Sequence, residues 1–563
     1  MHVKLSYMFV LHFLYILRVQ SHDEGRPMVK LNEGRVIGTY MSTRNGNKIS
    51  AYMGIRYAEP PVGNLRFMPP TPTKPLTGDW EATKFGSICP QEDLFSPTPN
   101  YFQGDEDCLF LNVFTPQMNE TKTKSYAVML FIHGGGYFFG SANFYGPGYL
   151  LDENVILVTT NYRIGALGFL STGDSVVPGN NGLKDQVVAL RWVRDNIQAF
   201  GGDPNRITIF GESAGAASVH LHMFSPLSRG LFNNAISQSG TAFNFWAFRD
   251  TNAAVEDGKV LAKHFGCSTE DHYRMVECLQ SVDAKAIVQA RRIFYEWADE
   301  PIISFTPVVE PIQNGAFLPV HPLSVLKQGN YAPVPWISGV NSEEGAIKFS
   351  PIFLQKKLLE DLNQDFNHIM ALTVNTKNKK FENDASKIRE FYFGTKKIGA
   401  DTFVNSVNLY SDLYFTVATQ NAVNLHFKYS QQPVYYYMYS HAGRNSATES
   451  FLPAFRHGAS HADELLLLFP MAGLFENTPL DHIDYHYSNL LVKLWTNFAK
   501  YGDPTPSTNS IITVKWQPVK TADLEYYHIG GGVHVSSNLY SERMKFWKAF
   551  KSGIESVVTH DEL

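Results

Sequence analysis

Short apolar runs alternate with amphipathic stretches along most of this chain. The runs are bounded by polar turns and predict buried strands at Ala127–His133, Val155–Asn161, Arg206–Phe210, Ala235–Ser239, Pro335–Val340 and Pro433–Tyr439. Residues Leu183–Phe200 instead repeat apolar positions at helical spacing and predict an amphipathic helix. Strands that alternate with helices favour an α/β fold, with a large, mostly parallel central sheet flanked by helices.

Four longer stretches depart from this alternation. Val29–Tyr57 predicts a β-rich lead-in, and the proline-rich run Pro60–Pro75 predicts irregular structure because proline lacks a ladder donor and breaks helices. Asn252–Ala298 and Phe353–Asn424 read mainly as helical insertions in the sheet. Neither an internal repeat nor a flexible linker marks a boundary, so we predict one domain over residues 22–559.

Composition adds little that is specific. The 563 residues are 44 % hydrophobic and 18 % charged, enough for a large core, and the formal net charge is only −5. So mild a balance gives no reason to expect nucleic acid or an anionic membrane surface as a partner. The aromatic content of 13 % suits either an apolar pocket or an ordinary core.

Both ends of the chain carry targeting patterns. The apolar stretch Leu5–Leu17 is shorter than the about 20 residues that span a bilayer, so it predicts a signal peptide over residues 1–21, cleaved after Ser21. The last residues, His560–Leu563, read His-Asp-Glu-Leu, which a retention receptor of the endoplasmic reticulum recognises. We therefore predict that the protein resides in the endoplasmic reticulum lumen, with secretion as the alternative. We also predict that it has no membrane span.

The four cysteines agree with that compartment. Their even number and local spacing favour disulfides Cys89–Cys108 and Cys267–Cys278 over the other pairings, and metal binding is the alternative use. Asn119 begins the sequon Asn-Glu-Thr in a polar loop and is a predicted glycosylation site.

The most informative stretch follows the predicted strand Arg206–Phe210. Gly211-Glu-Ser213-Ala-Gly215 matches the G-x-S-x-G nucleophile elbow, in which a strained strand-to-helix turn holds a serine hydroxyl clear of the backbone. A serine needs such a setting and a neighbouring base to become a nucleophile. A chance glycine–serine turn is the alternative, and the strand before and helix after the pentapeptide argue against it.

A second glycine run supplies candidate donors for an oxyanion. His133-Gly-Gly-Gly-Tyr137 follows a predicted strand directly, and backbone N–H groups of glycines can approach a tetrahedral intermediate without a side chain in the way. The elbow would add the N–H of Ala214, the residue after the serine.

The base and its carboxylate should follow the serine in the order Ser, Asp or Glu, His. His461 stands in a loop just before an apolar helix, with His457 as a nearby competitor. An acidic pair, Glu343 and Glu344, follows the predicted strand Pro335–Val340. Spacing alone leaves the choice between the two glutamates open.

Several longer segments resemble the type-B carboxylesterase and cholinesterase family, and most closely its insect esterases. The similarity covers nearly the whole chain after the leader. The matching segments are Tyr57–Phe67, Glu106–Pro116, Asn161–Phe169, Gly179–Gln186 and Phe200–Pro204.

The resemblance implies the α/β-hydrolase fold, no metal or cofactor, and the same two disulfides. It assigns the nucleophile to Ser213, the general base and acid to His461, the orienting carboxylate to Glu344, and the oxyanion donors to Gly135, Gly136 and Ala214. The implied activity is a serine carboxylesterase that acts through an acyl-enzyme, with a small-molecule ester as its partner.

Substrate specificity is less well indicated. The loop between Cys89 and Cys108 holds Phe95, Tyr101 and Phe102 but no tryptophan, which argues against acetylcholine because cholinesterases stack choline on a tryptophan there. We predict small to medium apolar esters: a xenobiotic, an odorant or pheromone, or a lipid-like ester.

Two alternatives stay open. One is a juvenile-hormone-type esterase, although such esterases usually have Gln where this chain has Glu212, a residue that could also tune the charge around His461. The other is a catalytically silent, esterase-like binding protein, although such relatives typically lack a triad member and carry a membrane span. The sequence makes no prediction of oligomeric state.

Overall fold

The protein is described by a computed structural model over residues 25–31, 34–75, 77–94, 100–117, 125–446, 458–471 and 480–550. Its strands, in chain order, are β1 Met28–Leu31, β2 Gly34–Ile37, β3 Thr39–Ser42, β4 Lys48–Arg56, β5 Gly78–Glu81, β6 Gln91–Glu92, β7 Phe102–Gln103, β8 Phe110–Pro116, β9 Tyr126–Ile132, β10 Ile156–Thr160, β11 Gly202–Glu212, β12 Asn234–Gln238, β13 Trp336–Asn341, β14 Val434–Tyr439, β15 Tyr526–Ile529 and β16 Val533–Ser536.

Eleven of these strands form one sheet. Its order is β16-β15-β14-β13-β12-β11-β9-β10-β8-β4-β3. Pairing is parallel from β10 across to β15 and antiparallel at both margins, where β8, β4 and β3 close one side and β16 the other. The predicted α/β-hydrolase fold with a mostly parallel centre is confirmed, and the antiparallel margins make the whole sheet mixed.

The predicted strands match observed ones to within a few residues at each end. The largest difference is β11, predicted as Arg206–Phe210 and observed as Gly202–Glu212. No prediction was made for β5 to β8 or for the hairpin β15–β16.

Helices cover both faces of the sheet. They are α1 Gly165–Phe169, α2 Asn181–Asn196, α3 Ala214–Phe224, α4 Thr251–His264, α5 His272–Gln280, α6 Ala284–Gln289, α7 Pro322–Lys327, α8 Ala346–Leu354, α9 Lys356–Gln364, α10 Phe366–Thr373, α11 Lys379–Phe393, α12 Phe403–Ser411, α13 Val417–Tyr429, α14 Leu465–Leu468, α15 His482–Tyr501 and α16 Ser541–Ala549. The predicted helical insertions thus correspond to α4–α6 and to the run from α8 to α13. A π-helical turn, Asp412–Thr416, joins α12 to α13.

Alternation along β9 explains why both faces are covered. Side chains of successive strand residues point to opposite faces. Val128 and Leu130 join one apolar core, together with residues of α2 and α3, whereas Met129 and Phe131 join a second core with residues of α15. A strand buried on both sides therefore reads as a continuous apolar run.

Both predicted disulfides, Cys89–Cys108 and Cys267–Cys278, are present, and they pair all four cysteines. The predicted leader, residues 1–21, and the terminal residues 560–563 lie outside the described residues, so the domain boundaries stay predictions.

Candidate active site

Ser213 lies at the carboxyl end of β11, between the last strand residue and the first residue of α3. Its backbone has φ 58° and ψ −124°, a conformation that L residues avoid and that costs about 1–3 kcal/mol. The Ser213 N–H donates to the carbonyl of Gln238 on β12 at 2.8 Å, which ties the turn to the neighbouring strand. Ser213 is largely buried, with 9 % of its surface exposed.

Gly215 shows why this turn needs glycine. A Cβ atom there would lie 2.0 Å from the carbonyl oxygen of Ile132, at the end of β9. Real carbon and oxygen atoms never approach so closely, so any side chain would push α3 away from the sheet. The absence of a side chain keeps the start of α3, and with it Ser213, against the end of β9.

The glycine loop begins where β9 ends. Gly135 has φ 97°, and a Cβ atom on it would lie 2.2 Å from the carbonyl oxygen of Phe139, so only glycine fits. Stacking of the His133 ring on Tyr162, with centroids 4.3 Å apart, anchors the start of the loop. The loop also touches the serine, because a Cβ atom on Gly134 would lie 3.0 Å from Ser213 Cβ.

The glycine loop and the serine turn also carry backbone N–H groups that are candidate donors. Within the described ranges, we find no hydrogen bond from the N–H of Gly135, Gly136 or Ala214. Free N–H donors in a loop and a turn that adjoin a candidate nucleophile are suited to an incoming oxygen.

His461 and Glu344 are brought together from different parts of the chain. His461 Nδ1 lies 2.6 Å from Glu344 Oε2. The other oxygen, Glu344 Oε1, accepts from Ser239 Oγ at 2.5 Å and from the Asn341 N–H at 2.7 Å. Because both carboxylate oxygens are engaged and the side chain is fully buried, Glu344 has little freedom to turn away from the imidazole.

Glu343 points elsewhere. Its backbone N–H donates to the carbonyl of Ala459 at 2.8 Å, and its carboxyl lies in the field of Arg543 rather than against His461. Burial raises the pKa of Glu343 to about 7 despite that arginine. Of the two glutamates, Glu344 is the one whose carboxylate contacts His461.

The second nitrogen of His461 faces another carboxylate. His461 Nε2 lies 2.9 Å from Glu212 Oε1. Between Ser213 and His461, both of which are described, the structure contains no hydrogen bond. The imidazole therefore lies between Glu212 and Glu344, and Nε2 must turn from Glu212 to meet the serine.

The charges around His461 act in opposite directions. Burial lowers the pKa of His461, but the carboxylates of Glu212 and Glu344 outweigh burial and raise it well above the ordinary histidine value. A third acid, Glu464, lies close by and accepts from Gln238 Nε2 at 2.9 Å and from Asn341 Nδ2 at 2.5 Å. Burial, together with the charges of Glu212 and Glu344, raises the pKa of Glu464 to about 8.

Sequence reasoning missed three contributors to this arrangement: Ser239, Phe415 and Glu464. The Phe415 ring packs on the His461 ring with centroids 4.3 Å apart. Glu464 stands only a few residues beyond His461, in the same loop, so an acid so close to a candidate base was a usable signal. Ser239 and Phe415 reach the site through tertiary packing, and no local sequence motif marks either residue.

Some predicted sites cannot be placed. His457, the competitor of His461, and the sequon residue Asn119 lie outside the described residues. Within the ranges that the structure covers, no group of three or more His, Cys, Asp or Glu residues is arranged to hold a metal ion.

A serine on a strand-to-helix turn at the carboxyl edge of a large, mostly parallel sheet, beside a glycine loop, defines an α/β-hydrolase. Residues 25–547 match the family described as the carboxylesterase family. The chain belongs to that family and is a carboxylic ester hydrolase, as the sequence resemblance predicted.

Insect esterases are among the similar proteins. Juvenile hormone esterase of Tribolium castaneum is 37 % identical over 560 residues, covering 94 % of each chain. Esterase FE4 of Myzus persicae is 40 % identical over 507 residues, covering 88 % of this chain and 87 % of that protein. The crystal structure of juvenile hormone esterase from Manduca sexta, with OTFP covalently attached, aligns with a TM-score of 0.82 at 27 % identity, covering 93 % of this chain and 99 % of that one.

Proposed function

We propose that the protein hydrolyses small to medium apolar esters through a triad of Ser213, His461 and Glu344. The contact that carries the proposal is the one between His461 Nδ1 and Glu344 Oε2, at 2.6 Å. A carboxylate in that position fixes the imidazole with its proton on Nδ1, which leaves Nε2 to act as the base.

The reaction has two halves. In the first, His461 Nε2 takes the proton of Ser213 as the serine oxygen attacks the ester carbonyl, and the alcohol leaves with that proton. In the second, water loses a proton to His461 and attacks the acyl-enzyme carbonyl, and the acid leaves as His461 returns that proton to the Ser213 oxygen. In both halves the N–H groups of Gly135, Gly136 and Ala214 would donate to the oxyanion, and each such donor typically contributes about 10²–10³-fold to turnover.

The charge of Glu212 affects the pH range in which His461 is available as a base. Only the neutral imidazole accepts the Ser213 proton, and the charge of Glu212 favours the protonated form. Glu212→Gln removes that charge, lowers the pKa of His461, and is expected to move the acid limb of the kcat/KM–pH profile to lower pH. The measurement is kcat/KM for p-nitrophenyl acetate across the pH range.

Glu256→Gln is the matched control, since Glu256 is an exposed residue of α4 and the substitution changes the net charge equally. An acid limb that stays in place in Glu212→Gln, or that moves equally in Glu256→Gln, would contradict the role given to Glu212.

Apolar walls beside the glycine loop support the predicted substrate class. A small cavity of about 40 Å³ is lined by Phe138, Ile164, Ile303 and Phe305, among others. Ile303 Cδ1 would lie 3.5 Å from a Cβ atom on Gly136, so this wall adjoins one of the proposed oxyanion donors. A cavity this small suits a short apolar group attached to the carbonyl carbon.

A panel of p-nitrophenyl esters tests the proposed substrate class. We expect kcat/KM to be high for the acetate and butyrate and to fall for the dodecanoate, because the small cavity accepts only a short acyl group. A folded protein that hydrolyses none of these esters would favour the binding-protein alternative. The named relatives favour juvenile hormone as a second candidate ester, and it belongs in the same panel.

The proposed location is the endoplasmic reticulum lumen. Two disulfides support an oxidising compartment. Among the described helices, none has the length and apolar character needed to cross a bilayer.

Deletion of residues 560–563 is expected to raise the secreted fraction, because the retention receptor reads a free carboxyl-terminal signal. Activity and immunoblot of the medium measure that fraction. Scrambling residues 552–555 is the control, and an unchanged distribution after the deletion would count against retention.

A further inference from the structure

A second, larger cavity lies away from Ser213. Its volume is about 470 Å³, and it opens between helices α13 and α16 and the loop that precedes β15. Volumes of about 300–1,000 Å³ are usual for sites that bind small molecules. Nothing in the proposed reaction uses this space.

The walls of this cavity are mostly apolar, with amide side chains contributed by α13 and charged side chains by α16 and the loop before β15. Buried Phe243, Leu413, Leu539 and Trp547 form much of the interior. The exposed lysines Lys545 and Lys548 stand one turn apart on α16, and Asp523 is the opposing charge. Two lysines against one aspartate leave the mouth with a net positive charge.

We propose that this cavity binds a long-chain carboxylate. The hydrocarbon chain would lie among the aromatic and aliphatic side chains, and the carboxylate would meet Lys545 and Lys548. In the described part of the chain, neither lysine forms an ion pair. Ester hydrolysis releases carboxylates, so molecules of this class arise from the enzyme's own reaction as well as from free lipid acids.

The cavity is joined to the site at His461 by the π-helical turn Asp412–Thr416. Leu413 lines the cavity, and Phe415, two residues on, packs against the His461 ring. The start of the turn is held by α16, because Arg543 Nη2 donates to Asp412 Oδ1 at 2.8 Å. One short segment thus contacts both the proposed ligand and the proposed base.

A neighbouring loop restrains the middle of this turn. Asn244 Nδ2 and Trp246 Nε1 both donate to the carbonyl of Tyr414, at 2.5 and 2.8 Å. Phe243, in the same loop, lines the cavity. A ligand that fills the cavity would press on both sides of the turn and hold Phe415 in place against His461.

The kinetic part of this inference rests on the proposed role of His461 as the base. Dodecanoate, below its micellar concentration, is expected to lower kcat for p-nitrophenyl acetate by about 5-fold, the effect of a modest coupling between sites, because a Phe415 ring held in place slows the turn of His461 Nε2 from Glu212 to the serine. KM should stay unchanged. A rise in KM with kcat unchanged would mean that dodecanoate competes at the active site, and it would overturn the coupling.

Binding is tested separately from turnover. Equilibrium dialysis of labelled dodecanoate with Ser213→Ala full-length protein should give saturable binding at one site. Ala522→Trp is expected to abolish it, because Ala522 is an exposed lining residue and a tryptophan there would fill the mouth. Equal binding by Ala522→Trp of unchanged Tm would overturn the proposal.

The charge requirement has its own variant. Lys545→Gln with Lys548→Gln should weaken dodecanoate binding by about 2- to 30-fold, the sum of two exposed ion pairs. Lys356→Gln with Lys380→Gln removes the same charge from helices that do not line the cavity. Equal weakening in both pairs, or tighter binding of dodecyltrimethylammonium than of dodecanoate, would overturn the assignment. Because binding is measured in Ser213→Ala, a Ser213→Ala protein that keeps its turnover would refute the proposed function and leave the binding result standing.

Discussion

Replacing Ser213 by alanine is expected to lower kcat for p-nitrophenyl acetate by about 10⁴–10⁶-fold, because no other group would attack the carbonyl and only the oxyanion donors and binding would remain. The same variant should lose covalent labelling by a fluorophosphonate. Stopped-flow turnover and mass spectrometry of the labelled protein measure the two effects.

Ser218→Ala is the matched control for this variant. Ser218 also lies on α3 and is buried, but its hydroxyl donates to the carbonyl of Ala214 within the same helix. We expect Ser218→Ala to retain turnover and labelling. Labelling of the Ser213→Ala protein at a different serine would refute the assignment of the nucleophile.

Replacing Glu344 by glutamine is expected to lower kcat by about 10⁴-fold, as loss of the orienting carboxylate does in serine hydrolases generally. The amide is neutral and can present an N–H to His461 Nδ1, which favours the tautomer with its proton on Nε2, the wrong nitrogen for a base. Single-turnover kinetics would place the loss in acylation. The Tm of this variant separates loss of catalysis from loss of fold, since Glu344 is fully buried.

Glu343→Gln provides a control one residue away. Its carboxyl does not contact His461, so kcat should change by less than about 5-fold, within the effect of a single weak interaction. A large loss in Glu343→Gln, or a loss below tenfold in Glu344→Gln, would contradict the triad.

The central strands were predictable because they are buried on both faces. Continuous apolar runs such as Ala127–His133 need no partner to be recognised, and the elbow after β11 carries its own glycines. The hairpin β15–β16 was missed because its strands are only four residues each and half exposed, so neither alternation nor a continuous run stands out.

The candidate site was predictable only where its chemistry is local in the chain. Short sequence motifs identify Ser213 and the loop from His133 to Tyr137. The contact of Glu344, rather than Glu343, with His461 depends on how the chain turns after β13, and bare spacing does not encode that direction. The approach of Glu212 to His461, and the packing of Phe415 on its ring, depend on distant segments that only the folded chain brings together.

The π-helical turn between α12 and α13 makes the position of Phe415 sensitive to the length of this segment. Such turns correspond to one residue added to an otherwise regular helix, and one residue corresponds to a rotation of about 100° around the helix axis. The side chains of α13 are therefore rotated about the helix axis relative to a regular continuation of α12. Deletion of a single residue within Asp412–Thr416 would give one regular helix from α12 to α13. Phe415 would then turn off the His461 ring, while the backbone path stayed nearly the same.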